Sequence, residues 1–588
     1  MTSRNNGAVV HGPAQPVEVE KTFAILAREQ AANHGNRLLV TSEHQQRSLT
    51  YAQADERSDA LALGLLALGV EKGDNVAILM GNEVEYIETF LACVKIGTPI
   101  TLTNYAYTET ELHSVLSSCG ATALIMVSQF DNYDYRSWMP RLHKSIRGLK
   151  HVLVVHDDTP VKATAGFHPY EEVVASGSIS AAQYLARLRE LEKEHHHREI
   201  MNLQFTSGST GLPKASALTH RGVYNAGIHM GAYMHLTSED VICLPVPLFH
   251  AFGLVMGVCV AMIAGASVVL PDNKFNPEAT LVSIQKHKCT GIYGVTTMFI
   301  SEMSVPDFAS YDFSSLRFAL TAGSAFPEAL LRKIKTSFDI QDMHSTWGLT
   351  EASSVMTMTK RSDPLHKNTE SSGRIFPGAV GKIVNPATGK AARRGERGEI
   401  VLRSGRVQDS YYNNTIKTAE AHRVTDDDGL TWLFTGDEGF IDVDGYFVIT
   451  GRIKEMIIRG GENIMPPEIE QRLVAHPSIA QAAVVGVPDE RYGEEICAFV
   501  EASEGPEGRP EARPSVEQLK EWVREVMAPF KRAKYVIWLG SCPEFMVWPK
   551  TASGKLRKPD LRLIASKLLS THGGGGEPVH GAPVQARL

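Results

Sequence analysis

The stretch TSGSTGLPK, residues 206–214, combines hydroxyl side chains, two glycines and a lysine, and it follows a predicted strand over residues 200–205. Glycines allow backbone N–H groups to close around phosphate oxygens, while hydroxyls and Lys214 add donors and positive charge. A Walker A loop requires Gly-Lys-Ser/Thr after its second glycine, but Gly211 is followed here by Leu-Pro-Lys-Ala. The stretch therefore predicts a phosphate-binding loop of another kind.

Length and composition restrict the class of protein. The 588 residues exceed one ordinary hydrophobic core, so we expect two or more domains. Hydrophobic residues make up 43% and charged residues 21%, which is typical of a globular protein. The net charge is −7 and the sequence has no long basic block, so it lacks the basic surface expected of a nucleic-acid-binding protein. The seven cysteines contain no CxxC pair, which argues against a zinc site or disulfide framework and fits a reducing compartment.

One apolar run, residues 252–270, has the length of a membrane span. Gly253, Gly257 and Gly265 interrupt it, and it ends in Val-Val-Leu before PDN. This pattern predicts a buried helix followed by a buried strand, so we expect no transmembrane segment.

Strand and helix patterns alternate early in the chain, beginning with an amphipathic helix over residues 48–70 and an apolar strand over 75–82. Such alternation predicts parallel sheets covered by helices. After about residue 374, short Val/Ile strands between Asn-Pro, Thr-Gly and Arg-Gly turns predict a β-rich subdomain with a hairpin at Asp444-Gly445. After Gly451 the pattern becomes a mixture of strands and helices.

Six stretches resemble the motifs of one enzyme superfamily and occur in that superfamily's order. They are TSGSTGLPK (206–214), TAGSAFP (321–327), WGLTE (347–351), TGD (435–437), GRIKEMIIRGGENIMPPEIE (451–470) and PKTASGKLRK (549–558). With these motifs the chain resembles the adenylate-forming superfamily of acyl-CoA synthetases, peptide-synthetase adenylation domains and beetle luciferases. The resemblance covers nearly the whole chain and is closest to medium-chain fatty acyl-CoA synthetases and 4-coumarate-CoA-ligase-like acyl-CoA ligases.

The resemblance implies an α/β fold with a β-rich subdomain. A large N-terminal domain of two helix-covered sheets and a small β-barrel would precede a small, mobile α+β C-terminal domain. The expected divisions are a flexible N-terminus over 1–20, an adenylation domain over 21–452 with its β-rich part at 374–450, a catalytic C-terminal domain over 453–570, and a flexible tail over 571–588.

The resemblance also implies a site for ATP and Mg²⁺. Glu351 would hold the metal ion and Thr350 would contact phosphate, although a lone Thr-Glu pair is ordinarily a helix cap. The other implied nucleotide-binding residues are Thr206, Ser207, Gly208, Ser209, Thr210, Gly211 and Lys214 for phosphate, Gly323, Ser324, Ala325 and Trp347 for adenine, and Asp437 and Arg452 for ribose.

Two lysines have separate implied roles. Lys555 would be the catalytic lysine that bridges the carboxylate and the α-phosphate, and Lys454 would be the hinge between the domains. After adenylation the small domain would rotate, withdraw Lys555 and line a pantetheine tunnel with Gly460 and Gly461, where glycines permit close backbone approach.

The segment FKRAK, residues 530–534, resembles the part of benzoyl-CoA-ligase-like enzymes that holds the CoA nucleotide. By this match Phe530 stacks on the adenine of CoA, while Arg532 and Lys534 meet its phosphates. The alternative is a charged helix C-terminus, where basic residues are favoured by the helix dipole.

The implied reaction joins a carboxylic acid to CoA in two steps. Attack of the carboxylate on the α-phosphorus of ATP gives acyl-AMP and pyrophosphate, and a thiol then displaces AMP. Two anions meet in the first step, so the site must supply positive charge and alignment.

The stretch PLFHAFG, residues 247–253, indicates the class of acid. Peptide-synthetase adenylation domains carry an aspartate where His250 stands, and an imidazole cannot pair with an α-ammonium group, so an amino-acid substrate is not expected. The adjoining residues 253–260 and 293–298 are small or aliphatic, which suits an apolar acyl chain. The length of the acyl chain stays open. So do the alternatives of an aromatic acid of the coumarate kind, a polar-substituted acid of secondary metabolism, and a carrier protein in place of CoA.

The C-terminal tripeptide Ala586–Leu588 ends a glycine- and proline-rich tail. Small–basic–Leu is a variant of the Ser-Lys-Leu peroxisomal signal. We therefore expect a peroxisomal import receptor as a partner and a peroxisomal location, with the cytoplasm as the alternative.

Overall fold

The computed structural model describes residues 7–15, 17–156, 166–206, 214–322, 328–425, 427–460, 462–503 and 513–571. Two large sheets, a third antiparallel sheet and a separate C-terminal sheet contain most of its strands. A further short pair consists of Gln129–Phe130 and Tyr133–Asp134.

A seven-stranded sheet forms one layer of the N-terminal domain. Its strands in spatial order are Phe167–Pro169, His151–Val155, Ala121–Val127, Asn75–Leu79, Ile100–Leu102, Ile200–Thr206 and Lys214–Thr219. Neighbours pair in parallel except for the last two. The strands Asn75–Leu79 and Ala121–Val127 are buried along their whole length, as expected for a parallel sheet covered on both faces.

A nine-stranded sheet forms the second layer. Its strands in spatial order are Arg374–Ile375, Thr357–Met358, Asp342–Trp347, Phe318–Thr321, Gly291–Gly294, Val241–Cys243, Ser267–Leu270, Leu38–Ser42 and Arg47–Thr50. The middle six strands pair in parallel, and the strands at both ends are antiparallel. The predicted α/β fold with two helix-covered sheets is confirmed.

Helices pack on these sheets and between them. Helix Val84–Ile96 is buried throughout and contacts strands Leu38–Ser42 and Arg47–Thr50 of the second sheet, although it directly follows a strand of the first. Helix Tyr51–Ala67 begins at a capping box between Thr50 and Gln53. The other α-helices before residue 374 are Phe23–His34, Glu109–Cys119, Met139–Ser145, Tyr170–Ile179, Ala181–Glu194, His220–Tyr233, Val260–Ala264, Pro277–His287, Thr296–Met303, Glu328–Ser337 and Leu365–Glu370.

The long apolar run folds as the sequence indicates. Leu254–Cys259 forms a π-helical turn, Val260–Ala264 continues as an α-helix, and Ser267–Leu270 is a strand. Within the described ranges, the model contains no helix whose length and apolar character suit a membrane crossing.

A six-stranded antiparallel sheet occupies the region predicted to be β-rich. It comprises Val9–His11, Ala379–Val384, Gly398–Ser404, Thr431–Ile441, His422–Val424 and Phe447–Arg452. We predicted a small barrel here. Instead, the strands pair in a linear order that starts at Val9–His11 and ends at His422–Val424. Residues 9–11, expected to be flexible, instead pair with Ala379–Val384, because the two strands exchange backbone hydrogen bonds and Ala8 is buried beside them.

The C-terminal part has its own five-stranded sheet and hydrophobic core. Its strands are Glu462–Ile464, Ile457–Arg459, Gly493–Ala502, Ile479–Asp489 and Tyr535–Trp538, and its α-helices are Pro466–Val474, Val516–Arg524 and Lys558–Thr571. Helix Thr415–Ala421 belongs to the preceding part, and the 3₁₀ turns are Tyr135–Ser137, Phe308–Ser310, Thr350–Ala352, Ile453–Glu455, Pro529–Lys531 and Pro543–Phe545.

Candidate active site

Asp437 and Arg452 face each other across an antiparallel pair of strands. They occupy paired positions in Thr431–Ile441 and Phe447–Arg452, and Arg452 Nε lies 3.0 Å from Asp437 Oδ1. The indole nitrogen of Trp347 donates to Asp437 Oδ2 at 2.8 Å. Burial raises the pKa of Asp437, while Arg452 and Trp347 act in the opposite direction. The two partners thus support a buried carboxylate at the position predicted to hold ribose.

Lys555 reaches this region from the C-terminal part on a turn. Its backbone nitrogen donates to Thr551 Oγ1 at 3.1 Å, and the turn docks on the N-terminal domain where Thr297 Oγ1 donates to Gly554 O at 2.8 Å. Burial, with a smaller effect of Arg452, lowers the pKa of Lys555 to about 8, although Asp437 opposes the change. The charge of Lys555 therefore interacts with the charges of Arg452 and Asp437.

His250 lies near the same lysine. Burial and the charge of Lys555 lower the pKa of His250 to about 3, so its imidazole is neutral at ordinary pH. The backbone nitrogen of Phe252 donates to His250 Nδ1 at 3.1 Å, which leaves the proton of the neutral ring on Nε2.

Glu351 is the middle residue of a short turn after strand Asp342–Trp347 and is held by Tyr411. The turn spans Thr350–Ala352, and Tyr411 donates its hydroxyl to Glu351 Oε1 at 2.6 Å. Burial, together with nearby Lys417 and Lys454, lowers the pKa of Lys214, and Glu351 opposes the change. The phosphate-loop lysine Lys214 therefore lies within electrostatic range of both the predicted metal ligand and the predicted hinge lysine.

The phosphate loop is described at its two ends. Thr206 and Lys214 are antiparallel partners in the seven-stranded sheet, and Lys214 Nζ lies 5.0 Å from the centroid of the Tyr411 ring. The predicted site residues outside the described ranges are Ser207, Gly208, Ser209, Thr210, Gly211, Gly323, Ser324, Ala325 and Gly461.

The residues predicted to bind CoA make contacts within the C-terminal part. Gly460 adopts φ 59°, and its backbone nitrogen donates to Tyr492 O at 2.8 Å. Phe530 packs against the C-terminal core, Arg532 Nε donates to Pro529 O at 2.9 Å, and Lys534 Nζ lies 2.7 Å from Asp489 Oδ2.

Five side chains that position the site were missed in the sequence analysis. Tyr411 holds Glu351, and the hydroxyls of Thr297 and Tyr105 donate to the backbone of the Lys555 turn. Asn82 bonds both Val246 O and Leu248 N, while Gln204 Nε2 donates to Phe249 O at 2.5 Å. The sequence did contain a signal for two of them, because Asn82 and Gln204 are polar residues near the carboxyl ends of strands Asn75–Leu79 and Ile200–Thr206. Ligands of parallel sheets bind at those ends.

Comparisons with known proteins fit this geometry. The model of the AMP-binding enzyme family matches residues 27–412, and that of the AMP-binding enzyme C-terminal domain matches residues 468–555. The acyl-CoA ligase SID4 of Ajellomyces capsulatus is 37% identical over 570 residues, which cover 96% of this chain and 94% of that protein.

A second relative and a solved structure extend the comparison. The mitochondrial medium-chain acyl-CoA ligase ACSF2 of Mus musculus is 34% identical over 534 residues, which cover 88% of this chain and 83% of the relative. The crystal structure of the anthranilate CoA ligase AuaEII in complex with anthranoyl-AMP aligns with a TM-score of 0.80 at 25% identity, covering 95% of this chain and 99% of that chain.

Proposed function

The chain belongs to the AMP-binding enzyme family, and from that premise we propose that it is an AMP-forming acid–CoA ligase that acts on an apolar carboxylic acid. The position of Lys555 carries this proposal. Its ammonium group is close enough to Asp437 and Arg452 for them to shift its own pKa, and close enough to His250 to lower the pKa of the imidazole. One cation thus joins the proposed nucleotide and acyl ends of the site.

Lys555 supplies the charge that adenylation needs. A carboxylate oxygen forms a bond to the α-phosphorus while the bond from that phosphorus to the bridging oxygen breaks, and negative charge accumulates on the phosphoryl oxygens. The protonated Lys555 stabilises this charge, and Asp437 orients the ribose hydroxyls as their acceptor. His250 adds no charge, because its pKa of about 3 keeps it neutral.

Glu351 fits the role of a Mg²⁺ ligand. Its carboxylate Oε1 accepts a hydrogen bond from the Tyr411 hydroxyl, which fixes the orientation of the group. One carboxylate combined with phosphate oxygens is the ligand set that Mg²⁺ takes in nucleotide sites. When bound, the ion would neutralise charge on the pyrophosphate, and Lys214 would add a further cation.

The proposed acid is a medium-chain fatty acid or a related acyl chain. Residues 253–260 are all buried and contain no charged side chain, and the ring of Phe252 stacks on Tyr293 with centroids 5.7 Å apart. An acyl site bordered by these residues would favour an apolar ligand. The medium-chain name of the mouse relative supports the same class.

An aromatic acid is the second candidate. The aligned solved structure is that of an anthranilate CoA ligase, and the stacked pair Phe252 and Tyr293 would suit an aromatic ring. The two candidates differ in the shape of the acid and share the chemistry of the reaction.

CoA is the proposed thiol in the second step. The thiol attacks the acyl carbon, and AMP leaves as the carbon–oxygen bond to phosphate breaks. Rotation about Lys454 would withdraw Lys555 and bring Gly460 to the acyl-adenylate, with Phe530, Arg532 and Lys534 at the CoA nucleotide. Loading of a carrier protein is the alternative to CoA.

The peroxisomal location stays a prediction, because Ala586–Leu588 lies outside the described residues. Fusion of residues 571–588 to a fluorescent protein tests it. Import that depends on the terminal Leu588 would support the prediction, and a diffuse signal would contradict it.

One assay tests the proposed reaction. The protein is incubated with ATP, Mg²⁺ and CoA and a panel of saturated acids of four to sixteen carbons, benzoate and coumarate, and AMP, ADP and the thioester are quantified. We expect AMP and thioester in equal amounts, with the highest kcat/KM for a medium-length saturated acid. Release of ADP, or AMP release that ignores CoA, would contradict the proposal.

A further inference from the structure

Three potential metal ligands converge outside the proposed nucleotide site. Glu83 and Glu85 lie at the N-terminus of helix Val84–Ile96, and His156 follows strand His151–Val155. His156 Nε2 lies 3.6 Å from Glu83 Oε2 and 3.3 Å from Glu85 Oε1. One ligand atom from each of the three residues lies within 4.8 Å of the other two.

Gln45 determines which atom of the imidazole carries a lone pair. Its Oε1 accepts from the backbone nitrogen of Val84 at 2.9 Å, which fixes the orientation of the amide. The amide nitrogen therefore points as a donor toward Glu85 Oε2 at 2.8 Å and His156 Nε2 at 3.1 Å. His156 Nε2 then acts as an acceptor through its single lone pair. A cation bound at Nε2 would replace this contact, and the amide nitrogen of Gln45 would keep its hydrogen bond to Glu85 Oε2.

Glu83 presents a buried oxygen without a partner. The residue is 6% exposed, and its Oε2 has no hydrogen-bond partner within the described part of the chain. This is the oxygen that faces His156 Nε2. Burial of a carboxylate oxygen without a hydrogen-bond partner is unfavourable, so a cation at this point would stabilise the ionised carboxylate.

The surrounding charges also leave room for a divalent cation. Arg47 contacts Glu85 and Glu88, and Arg57 contacts Glu88 and Glu171. The carboxylates in this contact network are Glu83, Glu85, Glu88 and Glu171, and the guanidinium groups are those of Arg47 and Arg57. With a neutral His156, a cation of charge +2 would balance the network.

We propose that Glu83 Oε2, Glu85 Oε1 and His156 Nε2 bind a divalent cation of the zinc type. In a tetrahedral zinc site with bonds of about 2.0–2.1 Å, neighbouring ligand atoms lie about 3.3–3.4 Å apart. His156 Nε2 lies at similar distances, 3.6 and 3.3 Å, from the two carboxylate oxygens. The imidazole favours zinc over magnesium, which prefers oxygen ligands. The His156 side chain is 55% exposed, so solvent can supply a fourth ligand.

The proposed ion has a structural role. It would join helix Val84–Ile96 and the end of strand His151–Val155, next to the turn of the Leu38–Thr50 hairpin that carries Gln45. Asn82, beside Glu83, bonds Val246 O and Leu248 N and so holds the loop that carries His250. The site would thereby stabilise the junction of the two sheets without taking part in the reaction.

Zinc titration of the full chain tests the proposal. The protein is treated with a chelator, freed of nucleotide and Mg²⁺, and titrated with Zn²⁺ in a calorimeter, and its thermal unfolding is followed with and without Zn²⁺. We expect one saturable site that raises the unfolding temperature. The variant His156→Ala should lose the site and the shift, because its exposed side chain can be removed without a buried cavity, and Glu83→Gln should weaken binding at least tenfold.

His113→Ala is the matched control, since His113 lies on helix Glu109–Cys119 outside the cluster. It should bind Zn²⁺ like the unaltered chain. The absence of saturable binding, or equal binding by the unaltered chain and His156→Ala, would overturn the proposal and indicate a proton shared between His156 and the carboxylates. Neither readout depends on ligase activity.

Discussion

The indole nitrogen of Trp347 donates a 2.8 Å hydrogen bond to Oδ2 of Asp437, while Arg452 Nε lies 3.0 Å from Oδ1 of the same carboxylate. Both contacts stabilise a negative charge that burial disfavours. The carboxylate is thus fixed in place before ATP arrives. If Asp437 accepts hydrogen bonds from ribose, its alignment depends on the indole.

The variant Trp347→Phe tests this dependence. A phenyl ring can still stack on Phe447, as the indole does with centroids 6.3 Å apart, but it cannot donate to Asp437. A hydrogen bond to a charged group contributes about 1.5–3 kcal/mol, so we expect the KM for ATP to rise roughly tenfold or more. Steady-state kinetics should show little change in the KM for the acid.

Trp432→Phe is the control for that experiment, because the Trp432 indole bonds Asp428 away from the proposed site. Its KM for ATP should match that of the unaltered enzyme. Equal rises in both KM values for Trp347→Phe would instead indicate general disruption of the site.

The Tyr411 hydroxyl should control the Mg²⁺ requirement. Tyr411→Phe removes the 2.6 Å hydrogen bond to Glu351 Oε1, so the concentration of Mg²⁺ that gives half-maximal activity should rise roughly tenfold. The neighbouring Tyr412, whose hydroxyl receives a 3.3 Å hydrogen bond from Asn75, provides the control Tyr412→Phe. An unchanged Mg²⁺ titration for Tyr411→Phe would remove Glu351 from the proposed metal site.

The pH dependence of adenylation should report Lys555. Its pKa of about 8 means that the ammonium form declines above that pH, so the rate of pyrophosphate release should fall with the loss of one proton. The guanidinium group stays protonated to far higher pH. The variant Lys555→Arg should therefore be slower, but its rate should not fall above pH 8. His250 is neutral above its pKa of about 3, so its titration should not change the rate between pH 5 and 9.

Glu302 should make the protein less stable as pH rises. Both its carboxylate oxygens lack a hydrogen-bond partner among the described residues, and burial raises its pKa from 4.5 to about 8. The folded state therefore keeps a proton that the unfolded state releases between those values, so the free energy of unfolding declines through this window. The loss at pH 7 is roughly 3 kcal/mol.

Urea unfolding of Glu302→Gln at pH 5 to 8 measures this effect. The variant should show a flatter pH dependence and be more stable than the unaltered protein at pH 8. Glu278→Gln, on the exposed start of helix Pro277–His287, should follow the unaltered protein. A parallel pH dependence for Glu302→Gln would mean that Glu302 is ionised in the folded state.

The sequence predicts the fold class because its strands are local apolar runs with strong periodicity, such as Ala121–Val127, and because its motifs carry the family resemblance. It did not predict strand Val9–His11, since three residues in a polar segment have no pattern of their own. That strand forms because it pairs with Ala379–Val384, which is distant from it in the sequence.

The candidate site was likewise predictable only in part. Motifs identify Asp437, Arg452 and Lys555, which are proximate in space although Lys555 is on another domain. Tyr411 and Asn82 lie outside the six motifs, and their roles depend on contacts with Glu351 and Leu248 that only the folded chain creates. Partners at such sequence separations cannot be deduced from local pattern.

The two half-reactions of Lys555→Ala provide the most direct test of the account. Pyrophosphate release from ATP and the preferred acid measures adenylation, and CoA thioester formation from supplied acyl-AMP measures the second step, with Lys567→Ala on helix Lys558–Thr571 as the control. We expect adenylation to fall about 100-fold or more while thioester formation stays close to that of the unaltered enzyme. An equal loss of both half-reactions, or none in adenylation, would contradict the role assigned to Lys555.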